Sequence, residues 1–206
     1  MIVRYPGASI PATGGDISTF TGDGTIGASG VEYWVHTFTD SGTFGLQDLD
    51  VDARLAAEIT GEISGEGDLV FVGPGRLTLS GTSTYTGATI VEGGTLIVDG
   101  TLSGTSGLVV RDGATLSGSG TIAGNVTLES GSTLRVTGTL EIGGILTIES
   151  GVTLDYAGAS VTTLATYAGL EGDFAAAENL PEGFLLEYGA TELSITSSKP
   201  SIFRFR

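Results

Sequence analysis

Gly93-Gly94-Thr95-Leu96, Gly113-Ala114-Thr115-Leu116, Gly131-Ser132-Thr133-Leu134 and Gly151-Val152-Thr153-Leu154 are one phrase repeated four times. The glycines at 93, 113, 131 and 151 stand 20, 18 and 20 residues apart. An acid or serine precedes each one (Glu92, Asp112, Ser130, Ser150). The closest copies are Thr127-Leu128-Glu129-Ser130-Gly131 and Thr147-Ile148-Glu149-Ser150-Gly151. A fixed period of this size means stacked strand–turn units rather than an independent fold per unit.

Each unit holds short alternating runs, such as Gly94-Thr95-Leu96-Ile97-Val98-Asp99 and Asn125-Val126-Thr127-Leu128-Glu129. Alternation sends Leu, Ile and Val to one face and Thr or charge to the other. A strand–helix–strand unit needs about 30 residues and does not fit. One coil of a parallel β-solenoid does, climbing about 4.8 Å per turn. The fold class expected is therefore all-β: a parallel β-helix of roughly 18–20 residues per coil, preceded by a small antiparallel β region. Leu96, Leu116, Leu134 and Leu154 are expected in one interior column, with Thr95, Thr115, Thr133 and Thr153 as an outer ladder.

The chain divides into an extended arm (1–15), a β region suited to attachment (16–58), the solenoid (59–156), a cap (157–196) and a basic tail (197–206). Thirty-five glycines without a three-residue period exclude collagen. The net charge of −16, with eight Lys and Arg, argues against binding nucleic acid through phosphates. Without Cys there are neither disulfides nor thiolate metal sites. Residues 1–15 lack a signal-peptide apolar run and no segment is long enough to cross a bilayer, so secretion is expected to need another route or a precursor. In the β region, Asp16–Thr21, 31–38 and 42–46 read as strands, the last two forming a hairpin about Asp40-Ser41-Gly42. Beyond the repeat, Phe174, Phe184 and Tyr188 are expected to plug the open end, and Ala175–Asn179 reads as one helical turn.

Val31-Glu32-Tyr33-Trp34-Val35-His36-Thr37-Phe38-Thr39-Asp40-Ser41-Gly42-Thr43-Phe44 resembles the "HTFTSSGTF" segment of phage tail and virion proteins, although the polyglycine tract usual there is absent. Ile59-Thr60-Gly61-Glu62-Ile63-Ser64-Gly65, Gly73-Pro74-Gly75-Arg76-Leu77-Thr78-Leu79, Tyr85-Thr86-Gly87-Ala88-Thr89-Ile90-Val91 and Gly94-Thr95-Leu96 resemble the passenger-associated repeat of autotransporters. Residues 161–195 resemble the segment that often closes such passengers. The second resemblance implies a right-handed parallel β-helix; the family's membrane barrel does not appear in the sequence.

Candidate chemistry is sparse. Asp48, Asp50 and Asp52 alternate along one strand face and are a candidate Ca²⁺ site, although a solvated strand face explains the same spacing. His36, the only histidine, reads as a strand residue facing solvent or an interface, with no nucleophile elbow nearby. Glu129 and Glu149 occupy equivalent positions in adjacent coils, as a pair of glycan-cleaving carboxylates would require. The repeat, however, lacks the aromatic platforms of sugar grooves. No catalytic residue, cofactor or metal is therefore assigned. Ile2, Tyr5, Trp34, Phe203, Arg204 and Arg206 are the candidate interface residues, the basic tail being suited to an acidic partner surface.

The function expected is a non-enzymatic structural protein of a phage virion, either capsid decoration or tail fibre. Its partners would be itself, as a homotrimer, other virion proteins and a host surface glycan. The alternative is a secreted, autotransporter-like adhesin at the cell surface. A polysaccharide-degrading spike is the third reading.

Overall fold

The computed structural model describes residues 56–158 and 162–198, together with the backbone of the strands Ile2–Pro6, Ala12–Thr13, Asp16–Thr21, Glu32–Thr37, Phe44–Leu46 and Leu49–Asp52. Among the described residues every regular element is a strand. The first face of the solenoid stacks Ala56–Ile59, Arg76–Leu79, Thr95–Val98, Thr115–Gly118, Thr133–Val136, Thr153–Tyr156 and Ala176–Glu178, all parallel. The second carries Thr82–Ser83, Thr101–Leu102, Thr121–Ile122, Leu140–Ile142 and Thr163–Thr166. The third runs from Leu49–Asp52 through Leu69–Val72, Thr89–Val91, Gly107–Val110, Asn125–Leu128 and Ile145–Ile148 to Gly169–Glu171. The chain visits the faces in that order; the coils starting at residues 76, 95, 115, 133 and 153 each place a strand in all three, and in the coil starting at 56 the middle strand, Ile63–Gly65, pairs in a separate three-stranded sheet.

Register explains the core. Leu77, Leu96, Leu116, Leu134 and Leu154 pair in one column on the first face, none more than 3% exposed. Thr95, Thr115, Thr133 and Thr153 pair beside them and are half-buried, the expected outer ladder. On the third face Phe71, Val91, Val110, Leu128 and Ile148 form a second buried column. Every coil thus supplies apolar side chains that only its neighbours can cover, and burial at about 25 cal/mol per Å² is shared along the stack.

The turn from the third face to the first uses the repeated glycine. Ala114 N donates to Arg111 O at 3.0 Å and Ser132 N to Glu129 O at 3.0 Å, closing β-turns. Gly113 and Gly131 sit at their third position with φ of 73° and 82°, a conformation that a Cβ disfavours. In the first copy the left-handed residue is Gly94 (φ 66°), one place later than the repeat alignment on Gly93 suggests, because the turn from Glu92 to Thr95 is a residue shorter. The later turns spend their extra residue inward: Ala114, Ser132 and Val152 are all buried. Side-chain oxygens bridge coils near the turns, with Asp68 Oδ1 accepting from Ala88 N at 2.6 Å, Asp99 Oδ1 from Ser119 N at 3.1 Å and Asn125 Oδ1 from Ile145 N at 2.9 Å.

Three local expectations differ from the structure. Glu32–Thr37 pairs antiparallel with both Ile2–Pro6 and Asp16–Thr21, so its two edges are taken and the hairpin about 40–42 is not formed. Phe44–Leu46 instead lies parallel to Ile63–Gly65 and antiparallel to Ala12–Thr13. Stacked strands thus reach from Phe44 to Glu178, beyond the 59–156 marked by the repeat. Ala176–Glu178 is a strand on the edge of Thr153–Tyr156, not a helical turn: open hydrogen-bonding groups of that edge outweigh the modest helix preference of alanine.

At the far end, Phe184–Tyr188 and Glu192–Ser197 form a hairpin whose second strand pairs antiparallel with Thr163–Thr166. Leu193 and Ile195 close the core from this hairpin. Phe174 is buried as expected, Phe184 is half-buried, and Tyr188 remains 40% exposed while stacking on Phe174 at 6.4 Å between ring centres.

Leu134→Ala should destabilise the fold by about 2–5 kcal/mol, since the column cannot close over the gap without shifting the coils on either side; urea unfolding of the two proteins measures it. Ser132 Oγ is buried without a hydrogen-bond partner at the position where Ala114 and Val152 stand. Ser132→Ala should accordingly raise stability, by about 1 kcal/mol, in the same assay.

Candidate functional site

Chemistry-bearing side chains concentrate at the corner where the third face turns into the first. Val91, Val110, Leu128 and Ile148 are in register, so the residues following them, Glu92, Arg111, Glu129 and Glu149, stack one per coil. Arg111 reaches both neighbours, Nε to Glu92 Oε1 at 3.8 Å and Nη1 to Glu129 Oε1 at 3.5 Å. Glu149 Oε2 accepts from Ser130 N at 3.1 Å. The two carboxylates singled out for glycan cleavage are thus each engaged in a contact between coils. They stand one coil apart on an outer corner, Glu129 half-buried and Glu149 exposed. These exposed ion pairs hold little stability by themselves, and their effect is to relieve like-charge crowding along the corner. Farther on, Arg135 Nε meets Asp155 Oδ2 at 3.6 Å, and Asn179 Nδ2, from a residue at φ 58°, donates to Asp155 Oδ1 at 2.7 Å.

A second polar group lies inside the rod. Tyr85 and Thr89 are fully buried and Thr105 nearly so. Thr105 Oγ1 lies 3.0 Å from the carbonyl oxygens of both Gly87 and Gly107, which share its hydroxyl proton. Its single proton is therefore committed, so Thr89 donates to Thr105 at 3.2 Å and Tyr85 donates to Thr89. The hydroxyls make a one-way chain ending on backbone. Burial pushes the Tyr85 phenol up to about 12, against the opposing hydrogen bonds of Thr89 and Thr105. Thr89 occupies an interior position between Leu69 and Leu108. Its alternation with Val91, visible in the sequence itself, places it inward.

Among the described residues no three His, Cys, Asp or Glu side chains are grouped to hold a metal ion. Asp50 and Asp52 lie at the register positions of Val70 and Val72, and Asp48 falls outside the described residues. In the antiparallel sheet His36 is opposite Val3 and Ile17, and Trp34 is opposite Tyr5 and Thr19, which brings two of the candidate interface residues together; Ile2 is opposite Thr37. Phe203, Arg204 and Arg206 lie outside the described residues. What the sequence reading missed is the character of the hairpin cap: Leu185 is 60% exposed there, and every charged residue from 162 to 198 is acidic.

Residues 65–98 match the family model of the passenger-associated-transport-repeat. No curated protein matches the chain. The matched stretch carries Tyr85, the buried Phe71, Leu77, Val91 and Leu96, and the left-handed Gly94, which are the residues that set the coil's core and turn. The same coil continues in register through Thr153–Tyr156, well past the match. Repeat and solenoid together fit an autotransporter-type passenger and point to an extracellular or cell-surface protein. The match does not extend to the phage-like segment at 31–44.

The neutral form of Tyr85 is the one the fold favours, its pKa rising from 10.0 to about 12. The resulting stability is complete below pH 10, the unfolded value, and is lost as pH rises from there to about 12, a change of about 3 kcal/mol. Tyr85→Phe should remove that alkaline slope while lowering stability at neutral pH by about 1 kcal/mol through the lost hydrogen bond. Urea midpoints of both proteins at pH 7, 9 and 11.5 give the comparison.

Proposed function

We propose that this chain is a non-enzymatic, passenger-like rod displayed at a cell surface, where the Thr-rich outer ladder and the acidic cap are presented for contact. The observation that carries this reading is the match of residues 65–98 to the passenger-associated-transport-repeat, on a coil whose register the following coils continue. It replaces the virion reading as the first choice, because nothing among the matches supports a capsid or tail role. A stacked rod suits display. Each coil adds length without needing a new core, and the net charge of −16 discourages nonspecific association between rods. Thr95, Thr115, Thr133 and Thr153 offer one hydroxyl per coil along a straight line, an arrangement suited to a repeating glycan. Self-association and such a glycan are the partners this reading implies.

In the source organism, an epitope-tagged chain should be degraded by protease added to intact cells, and it should stay with cells or medium rather than with phage particles on a density gradient. Protection from protease together with co-banding with particles would return the virion reading to first place.

A further inference from the structure

The outer sheet of the cap ends on Phe184–Tyr188, and among the described residues no strand pairs with the far edge of that strand. Such an edge is a template for another strand unless it is blunted by charge, Pro or a bulge, and Phe-Leu-Leu-Glu-Tyr contains no Pro and a single charge, Glu187, which a basic partner would neutralise. Its two sides differ. Leu186 and Tyr188 are opposite the buried Ile195 and Leu193, so with Phe184 they form the side toward the core. Leu185 and Glu187, opposite Thr196 and Ser194, form the outward side. In the cap as a whole, Glu171, Asp173, Glu178, Glu182, Glu187 and Glu192 are all exposed, with no basic residue between 162 and 198.

We infer that this edge is a docking site for the segment 199–206 of a second copy of the chain, added as a further strand. Lys-Pro-Ser-Ile-Phe-Arg-Phe-Arg is the complement of the cap. As a strand it places Phe203 and Phe205 on one side and Arg204 and Arg206 on the other. The phenylalanines then extend the side of Phe184, Leu186 and Tyr188, and the arginines meet Glu187 on the outward side. Within one chain the pairing is blocked. Ser198 N and Oγ both donate to Gly183 O, at 2.7 and 2.9 Å, so the chain leaves the hairpin level with the start of the edge strand. To reach its own free edge it would cross Glu182–Gly183 and run parallel to Phe184–Tyr188. Parallel neighbours need a crossover of a dozen or more residues, and only Lys199, Pro200 and Ser201 separate Ser198 from Ile202. The contact is head-to-tail, so it generates a closed ring or an open chain of copies.

The test uses full-length protein and sedimentation velocity across protein concentration at low and high salt. Wild type should form assemblies larger than a monomer at low salt that dissociate as salt rises. A cap variant, Leu185→Lys with Glu187→Lys, and a tail variant, Arg204→Glu with Arg206→Glu, should each associate at least about tenfold more weakly. Mixing the two restores the native pair, the cap variant's tail with the tail variant's cap, and also sets the lysine cap against the glutamate tail with the charges exchanged, so the mixture should associate where each variant alone does not. A wild-type monomer at all concentrations would overturn the inference. So would tail variants that associate like wild type, which would show cap edges pairing with each other, or a mixture that stays monomeric although circular dichroism shows both variants folded.

Discussion

An inward-facing side chain in this rod has its essential neighbours in other coils. Leu116 lies against Leu96 on one side and Leu134 on the other, and the coil's own backbone does not close over it. Everything else serves that vertical contact. The hydrogen-bond ladders fix its spacing, the left-handed glycines bring each coil back in phase, and the side-chain oxygens of Asp68, Asp99 and Asn125 tie coils together near the turns. Gly118 shows how tight the fit becomes. It stands between Val98 and Val136 at φ 123°, and a Cβ there would lie 2.0 Å from the carbonyl oxygen of Val98.

Polar groups follow the same logic with higher stakes. The hydroxyl chain from Tyr85 through Thr89 to Thr105 is satisfied at every step and spans consecutive coils, so it fixes register as well as filling space. Ser132 Oγ, equally buried, has no partner and adds only a desolvation penalty. On the surface, Arg111 between Glu92 and Glu129 does for charge what the hydroxyl chain does inside: it puts opposite signs in adjacent coils where repetition alone would stack like ones.

The repeat was legible because period and alternation report directly on which side chains meet. The columns of Leu134 and Thr133 could be written down before any coordinates. The N-terminal pairing was not legible: Glu32–Thr37 chooses among several strands of similar composition, and the choice depends on edges that a local turn signal does not see. The alanines at 175–177 misled for a related reason, since an unfilled sheet edge is a property of the whole stack. Of the site residues, Glu129 and Glu149 stand one coil apart as their spacing in the sequence implies, but Arg111 as the partner of Glu92 and Glu129 shows only once Val110 is known to be in register with Val91 and Leu128. The cap's unpaired edge is likewise a topological fact that no single residue announces.

Because coil boundaries fall at equivalent points, the length of the rod comes in whole units. Removing Thr115 through Ser132 would bring Thr133 beneath Thr95 and Leu134 beneath Leu96, partners of the same kind as those each has now. Removing half as many residues would carry Leu134 out of its column and set interior and exterior against each other. Gene duplication or loss therefore has a preferred quantum here, about 4.8 Å of reach per coil, and the distance at which the cap is held from the antiparallel base can drift over evolution without renegotiating the core.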